Sequence, residues 1–252
     1  MKYYSLPILL LTFISNLNAA FNSDSAFNEA NKVYINNDFN KSVEIYENIL
    51  NQGFSSAELY YNLGNSFYKL GLYPKAILYY EKSLLLDPRN ENCTFNLSKA
   101  RIYNVDKIDE IPQFVIKRWW TSVVSLLSSN IWAIMSFCLF LIGITGIMVY
   151  FLTIKIAARQ AGFFIGIVLL ILSAFSFIMA NASKKMILEY NGAIIMSPTI
   201  TVKGSPSDSG TDLFILHEGT KVYILDELQD WFEIKISDGK QGWIEKSDVE
   251  II

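Results

Sequence analysis

The chain has 252 residues, of which 52% are hydrophobic and only 18% are charged, and its formal net charge is −3. An average soluble domain carries roughly 25% charged residues, so this chain is too apolar for a disordered, highly charged tail protein. No basic excess is available to neutralise a phosphate backbone, which argues against nucleic acid as a partner. One histidine and two cysteines are too few for a typical zinc, copper or haem site, so we expect neither a metal nor a cofactor.

The first 20 residues are predicted to be a secretory signal peptide. Lys2 gives a weakly positive start, residues 6–17 are mainly apolar, and Asn18-Ala19-Ala20 supplies small residues where a signal peptidase would cut. An uncleaved anchor is the alternative interpretation. Either interpretation places the residues that follow on the far side of a membrane.

Residues 21–110 are predicted to be helical repeats. Residues 23–56 align with residues 57–90 at an offset of 34, and the identical pairs include Asn28 with Asn62, Asn31 with Asn65, Tyr34 with Tyr68, Tyr46 with Tyr80 and Glu47 with Glu81. This period is that of the tetratricopeptide repeat (TPR), a helix–turn–helix unit. The second copy resembles the TPR pattern at Tyr60, Leu63, Gly64, Phe67, Gly71, Tyr73, Ala76, Tyr80 and Pro88.

The spacing within the second copy has a physical explanation. Small residues at Gly64 and Ala76 let the two helices touch closely, and Asp87-Pro88 stops the second helix. The register continues into a third helix, which we expect to run to about Val105 and to cap the stack.

In TPR folds the first helix of each unit lines a concave groove. Here that face would carry Asn28, Asn31, Glu58, Tyr61, Asn62, Asn65, Tyr68, Asn96 and Lys99. Amides that recur at one repeat position can exchange hydrogen bonds with an extended peptide backbone, which predicts a peptide-binding groove. The alternative is a solvated polar face without a ligand. Lys99 is the one cation of this set, so a clamp for a C-terminal carboxylate is not predicted.

Residues 111–130 are predicted to form an interfacial linker helix. Lys117, Arg118, Trp119 and Trp120 combine cations with indoles, a composition that suits the boundary between membrane and water. The alternative is a soluble helix that packs on the repeats.

Residues 131–154 and 161–183 contain no charge and are predicted to be two transmembrane helices. Each is long enough for about 30 Å of hydrocarbon, which takes about 20 residues, and only residues 155–160 separate them. The alternative is a buried helical hairpin in a globular core. Because neither stretch holds an acidic or basic residue, we expect an anchor rather than a transport pathway. With the signal peptide, this predicts a multi-pass protein of the bacterial inner membrane whose loop 155–160 is cytoplasmic and whose other parts face the periplasm.

In residues 193–252 apolar and polar residues alternate with a period of two. This pattern predicts short strands that close into a small β-barrel. The alternation is clearest at residues 200–202, 222–224 and 232–236, and Asp238-Gly239 marks a tight turn. The segment resembles the bacterial SH3 (SH3b) domain at residues 202–206, 216–220, 230–234 and 242–244.

The SH3b resemblance implies binding of peptides or of cell-wall peptidoglycan. Tyr223, Trp231 and Trp243 are the candidate aromatic ligand surface, and the alternative is that the indoles fill the barrel core. His217 is expected to be a loop residue without a catalytic partner.

The order of segments resembles the BatE family of the Bat (Bacteroides aerotolerance) group of membrane proteins in Bacteroidetes. The resemblance is strongest at residues 105–120, 127–132 and 209–220. It implies partners with von Willebrand A domains and a MoxR-type ATPase, in a task linked to envelope stress or oxygen tolerance.

The sequence therefore predicts a multidomain membrane protein with an all-α TPR repeat, a two-helix transmembrane hairpin and a small all-β SH3b-type barrel. We expect a non-enzymatic scaffold or adaptor that contacts membrane lipid and binds protein segments. A peptidoglycan-binding envelope protein is the alternative. An enzyme is not predicted, because no nucleophile–base pair, phosphate loop or metal cluster is recognisable.

Overall fold

The computed structural model describes residues 23–108 and 115–252, except for the side chains of Lys117 and Arg118. The predicted signal peptide lies outside the described residues. Two compact units divide the chain: the first combines residues 23–108 with Asn191–Ile252, and the second lies within Pro112–Tyr190. The first unit is therefore discontinuous in sequence.

Five helices form the N-terminal part of the first unit, as the repeat predicted. They are α1 (residues 23–35), α2 (Phe39–Asn51), α3 (Ala57–Lys69), α4 (Tyr73–Leu86) and α5 (Glu91–Arg101). Side chains of Asp38, Ser56 and Asn90 cap α2, α3 and α5 by accepting hydrogen bonds from backbone N–H groups in the first turn. Helix α4 ends at Leu86, directly before Asp87-Pro88.

The expected close contact at Gly64 is present. A Cβ atom at this glycine would lie 2.7 Å from the ring of Tyr80, so only glycine lets α3 approach α4 this closely. Tyr46, Leu63, Ala76 and Tyr80 are fully buried around this contact, in a cluster that joins the helices.

Helix α5 is shorter than the expected cap. It ends at Arg101 rather than near Val105. Lys107 explains the early end, because its Nζ donates hydrogen bonds to the carbonyls of Arg101 and Ile102, at 3.3 and 2.9 Å. A lysine that satisfies the final carbonyls stabilises a helix C-terminus.

The C-terminal part of the first unit is an antiparallel β-sheet. Its strands are β1 (Gly192–Ile195), β2 (Thr199–Lys203), β3 (Asp212–His217), β4 (Lys221–Leu228), β5 (Trp231–Lys235), β6 (Gln241–Glu245) and β7 (Val249–Ile251). Their order in the sheet is β3-β2-β6-β5-β4-β1-β7. Strands β2, β4 and β5 confirm the predicted period of two, and the predicted closure into a barrel stays a prediction.

Strand β1 was not predicted, and it joins the sheet to the helices. Ala193 and Ile195 point into the sheet core, whereas Ile194, which alternates with them, is fully buried in the helical cluster. Met196 and Ile252 pack against the same helical cluster. The helices and the sheet therefore share part of one apolar core.

The second unit consists of α6 (Val115–Val124), α7 (Ser129–Leu152) and α8 (Ile156–Leu188). Helices α7 and α8 are both long and apolar enough to cross a membrane. Only 11% and 28% of their most apolar windows are buried within the protein. Helix α8 begins earlier and ends later than the predicted span 161–183, because residues on both sides of the apolar stretch are also helical.

Glycines bring α7 and α8 into backbone contact. A Cβ at Gly162 would lie 2.7 Å from the carbonyl oxygen of Gly146, and one at Gly166 would lie 2.9 Å from that of Gly143. Nearer the other end of α7, Ser136 and Ser173 donate hydrogen bonds to each other's backbone carbonyls, at 2.9 and 2.8 Å. These glycines and serines therefore pack one helix of the hairpin closely on the other.

Candidate protein-binding site

The recurring asparagines bind one another across neighbouring helices. Asn31 Oδ1 accepts hydrogen bonds from Tyr46 OH at 2.5 Å and from Asn62 Nδ2 at 3.0 Å. One repeat later along the chain, Asn65 Oδ1 accepts hydrogen bonds from Tyr80 OH and from Asn96 Nδ2, both at 2.8 Å. Each member of the second set lies 34 residues after its counterpart in the first.

This Asn–Tyr network ties α1 to α3 and α3 to α5. Burial raises the pKa of Tyr46 and of Tyr80 above the ordinary value, so both hydroxyls remain protonated donors at physiological pH. Asn96 Nδ2 also lies 3.2 Å from Tyr61 OH. Asn31, Tyr61, Asn62, Asn65 and Asn96 are thus brought together, and part of their hydrogen-bonding capacity is used inside the repeat.

The other predicted groove residues lie outside this network. Asn28, Glu58 and Lys99 are exposed. The ammonium of Lys99 lies 4.3 Å from the ring centre of Phe95 on the same helix. These three side chains are the ones best placed to reach a ligand in solvent.

Tyr68 belongs to an aromatic cluster at the end of α3. Its ring meets Tyr73 and Tyr103 edge-on, and Tyr73 stacks on Tyr103 with ring centres 3.8 Å apart. The equivalent pair in the first copy of the repeat is Tyr34 with Phe39, whose ring centres are 5.3 Å apart. The repeat could predict the first two members of the cluster, but Tyr103 follows α5 and carried no signal.

A buried carboxylate links the helices to the sheet. Glu81 on α4 is only 7% exposed and lies 2.5 Å from Arg101 Nη2 and 2.7 Å from Lys221 Nζ. Arg101 ends α5, whereas Lys221 begins β4. Two cations therefore neutralise one buried acid, as a charge removed from water requires.

A second polar contact joins the segment after α5 to the turn between β3 and β4. The carboxylate of Asp106 accepts hydrogen bonds from the His217 backbone N–H and from Thr220 Oγ1, both at 2.7 Å, and lies 2.9 Å from His217 Nδ1. Asn104 Nδ2 donates to the carbonyl of Gly219 at 2.8 Å. His217 is the last residue of β3 rather than the expected loop residue.

The hydrogen bonds that Asp106 accepts lower the pKa of its carboxyl by more than burial raises it. Burial alone would raise the pKa of this carboxyl, but the bonds from His217 and Thr220 hold its pKa below the ordinary value. Asp106 is therefore ionised at physiological pH, and the contact that it makes is charge-assisted.

Sequence reasoning did not find Glu81, Arg101, Asn104, Asp106 or Lys221. The alignment of Glu47 with Glu81 was visible, but it gave no indication of a partner about 140 residues away along the chain. No periodic pattern marks Asp106 or Asn104.

The predicted aromatic residues of the sheet lie away from its core. Phe232, Ile234 and Ile244 belong to the core cluster. Trp231 alternates with Phe232 on β5, and Trp243 alternates with Ile244 on β6, so both indoles face outward and are half-buried. Tyr223 occupies the same face on β4, opposite Lys235.

The predicted interfacial residues lie on α6. Trp119 and Trp120 are exposed, together with Val115 and Ile116. The far end of α6 is held in the second unit, because the Val124 carbonyl accepts a hydrogen bond from the buried Trp132 Nε1 at 3.1 Å. Helix α6 therefore presents an uncovered apolar surface near its start.

No cluster of three or more histidine, cysteine, aspartate or glutamate side chains could hold a metal ion in residues 23–108 and 115–252.

Residues 57–90 match the tetratricopeptide repeat family. This confirms the predicted TPR unit. It supports the coarse assignment of a protein-binding adaptor, because TPR proteins generally bind other protein segments. No curated protein matches the chain. A solved structure of PcrH in complex with the chaperone binding region of PopB is similar at 12% identity and a TM-score of 0.31, covering 66% of this chain and 94% of that one.

Proposed function

We propose that this protein is a non-enzymatic, membrane-anchored scaffold that binds protein segments through its TPR helices and its β-domain. One observation carries the proposal: residues before the hairpin bind residues after it. Asn104 and Asp106 contact Gly219, His217 and Thr220, and Glu81 contacts Lys221.

These contacts constrain any membrane topology. Because Asp106 and Thr220 touch, the segments on either side of α7 and α8 must lie on the same face of a bilayer. That requires an even number of crossings, which two spanning helices provide. The uncovered apolar surfaces of α6, α7 and α8 support an anchor in lipid.

The proposed face is the periplasmic one, on the basis of the predicted signal peptide at residues 1–20. The signal peptide decides the orientation, because cations stand on both sides: Lys155 and Arg159 lie between the spans, and Lys117, Arg118, Lys184 and Lys185 flank their other ends. The loop 155–160 would then be cytoplasmic. The linker residues Lys117, Arg118, Trp119 and Trp120 would lie at the periplasmic surface of the inner membrane.

We further propose that the β-domain is of the SH3b type and that the chain is a BatE-like member of the Bat group. Support comes from two of the segments that carry the resemblance. Residues 105–108 and 216–220 are far apart in sequence, yet Asp106 binds His217 and Thr220. Partners with von Willebrand A domains and a MoxR-type ATPase follow from that resemblance alone.

A peptidoglycan-binding envelope protein is the second candidate function. The outward position of Trp231 and Trp243 favours it, because sugar rings stack on exposed indoles. In that case Tyr223, Trp231 and Trp243 would contact wall glycan instead of protein.

Site-specific photocrosslinking in native membranes tests the scaffold. We expect probes at Asn28 and Lys99, on the proposed groove, to give adducts with the same second protein. A probe at Asn48, an exposed position on α2 that is not among the proposed groove residues, is the matched control and should not give that adduct. Adducts with this chain alone at both groove positions would contradict the proposal, and retention by purified wall without protein adducts would favour the second candidate.

A further inference from the structure

The outer face of β5 and β6 carries two indoles and two carboxylates in alternation. Trp231 on β5 lies opposite Glu245 on β6, and two residues further along, Glu233 on β5 lies opposite Trp243 on β6. Directly opposite side chains in an antiparallel pair have Cβ atoms about 5 Å apart, and diagonal neighbours are about 7–8 Å apart. Each indole therefore has a carboxylate beside it on both β5 and β6.

The two carboxylates of this Trp–Glu patch are not neutralised within the described protein. In the part of the chain that the structure describes, neither Glu233 nor Glu245 forms a salt bridge, although Glu245 accepts a hydrogen bond from Ser247 Oγ at 3.2 Å. A further acid, Asp226 on β4, lies opposite Glu233. The patch is thus negative as well as aromatic.

Most cations around the patch are already engaged. Lys203 on β2 lies opposite Trp243 and forms a salt bridge with Asp212 at 2.5 Å. Lys246 is paired with Glu227, and Lys221 is paired with Glu81. Lys235, exposed and two residues beyond Glu233, is the remaining cation on the same face of β5.

This chemistry complements an organic cation. The face of an indole attracts an ammonium or guanidinium group, and a neighbouring carboxylate accepts its hydrogen bonds. Guanidinium is favoured over ammonium, because it is planar, stacks on aromatic rings and binds carboxylates through two parallel hydrogen bonds. A neutral sugar ring would stack on the indoles without needing Glu233 or Glu245.

We propose that the Trp–Glu patch binds an arginine or lysine side chain in a basic segment of a partner protein. The inference deepens the proposed scaffold function, on which it rests, by assigning the β-domain a cationic peptide as its ligand. Charge complementarity selects this ligand over wall glycan.

The test uses the full chain, purified in an uncharged detergent, and a fluorescent peptide of alternating glycine and arginine. We expect the peptide to bind, and Glu233→Gln, Glu245→Gln and Trp243→Leu each to weaken binding by about threefold or more, the loss expected for one cation–π or carboxylate contact. Glu218→Gln, at an exposed acid on the turn between β3 and β4, is the matched control and should change affinity by less than about twofold. Circular dichroism confirms that each variant is folded.

A variant that is expected to strengthen peptide binding, rather than weaken it, makes the test sharper. Lys235→Gln removes the competing cation and should strengthen binding of the arginine peptide.

Equal binding of a glycine–glutamine peptide, or equal weakening by Glu233→Gln and Glu218→Gln, would overturn the proposal. Retention of wall glycan that Glu233→Gln leaves unchanged, without peptide binding, would overturn it in favour of a sugar site. Failure here would leave the crosslinking result at Asn28 and Lys99 standing, so the two proposals fail separately.

Discussion

Asn65 shows how one side chain can hold neighbouring repeat units together. Its amide oxygen accepts two hydrogen bonds, from Tyr80 and from Asn96, and both donors are partly buried. A buried donor that loses its acceptor costs more free energy than the hydrogen bond itself contributed.

We therefore expect Asn65→Ala to lower the free energy of unfolding by about 1–3 kcal/mol. Asn28→Ala, at an exposed asparagine of the same proposed groove, is the matched control and should stay within about 0.5 kcal/mol. Chemical denaturation of both variants measures the difference. Equal effects would show that the network does not stabilise the repeat.

Asp106 gives the contact between helices and sheet a pH dependence with a definite sign. Its folded pKa lies below the ordinary value. As the pH falls, the unfolded chain takes up the proton first, so the stabilisation is complete above the unfolded pKa and is lost as the pH falls through the folded pKa.

Asp106→Asn should therefore destabilise the protein most at neutral pH, and the difference in stability between variant and wild type should narrow as the pH falls through and below the ordinary titration range of an aspartate. Thermal unfolding across this range measures the gap. Asp208→Asn, at an exposed acid of the loop between β2 and β3, serves as the control and should run parallel to wild type. A gap for Asp106→Asn that stays constant with pH would contradict the assigned role.

At the scale of elements, the helices were the most predictable part of the chain. The offset of 34 residues positioned four helices of the repeat, because identical side chains recur where identical contacts recur, as with Tyr46 and Tyr80. The early end of α5 was not predictable, since it depends on Lys107 folding back from the following segment.

The sheet was predictable only in part. Strands β2, β4 and β5 alternate apolar and polar residues, but β1 reads Gly-Ala-Ile-Ile, and all four of its residues are buried. A strand covered on both faces shows no alternation. Its second face packs on the helices, and nothing local in the sequence reveals that partner.

The α7–α8 hairpin depends on glycine at the crossing. We expect Gly162→Leu to separate the helices, because even a Cβ there would lie 2.7 Å from the Gly146 carbonyl oxygen. Ser136 and Ser173, whose Oγ atoms are 3.3 Å apart, can be replaced by cysteines to report the contact as a disulfide.

Oxidation should crosslink this cysteine pair readily when Gly162 is retained and much more slowly in Gly162→Leu. The matched control is Ala161→Leu, since Ala161 is the exposed neighbour of Gly162 on α8. Equal crosslinking in both variants would mean that the glycine contact does not hold the hairpin together.

At the scale of the whole molecule, the hairpin is an insertion within one folded unit. The helices before it and the sheet after it share Ile194 in a common apolar cluster and are joined by Glu81 and Asp106. A scaffold built this way holds its two proposed binding surfaces on one body, and a partner bound at one surface raises the effective concentration for a contact at the other.

The central claim is that a spanning hairpin anchors this one body to the periplasmic face, and cysteine accessibility tests it most directly. In a background with Cys93 and Cys138 replaced by alanine, single cysteines are placed at the exposed positions Asn40, Asp208 and Lys155. In intact spheroplasts, a membrane-impermeant thiol reagent should label Asn40→Cys and Asp208→Cys, whereas Lys155→Cys should react only after lysis. Protection of either Asn40→Cys or Asp208→Cys in intact spheroplasts would contradict the account.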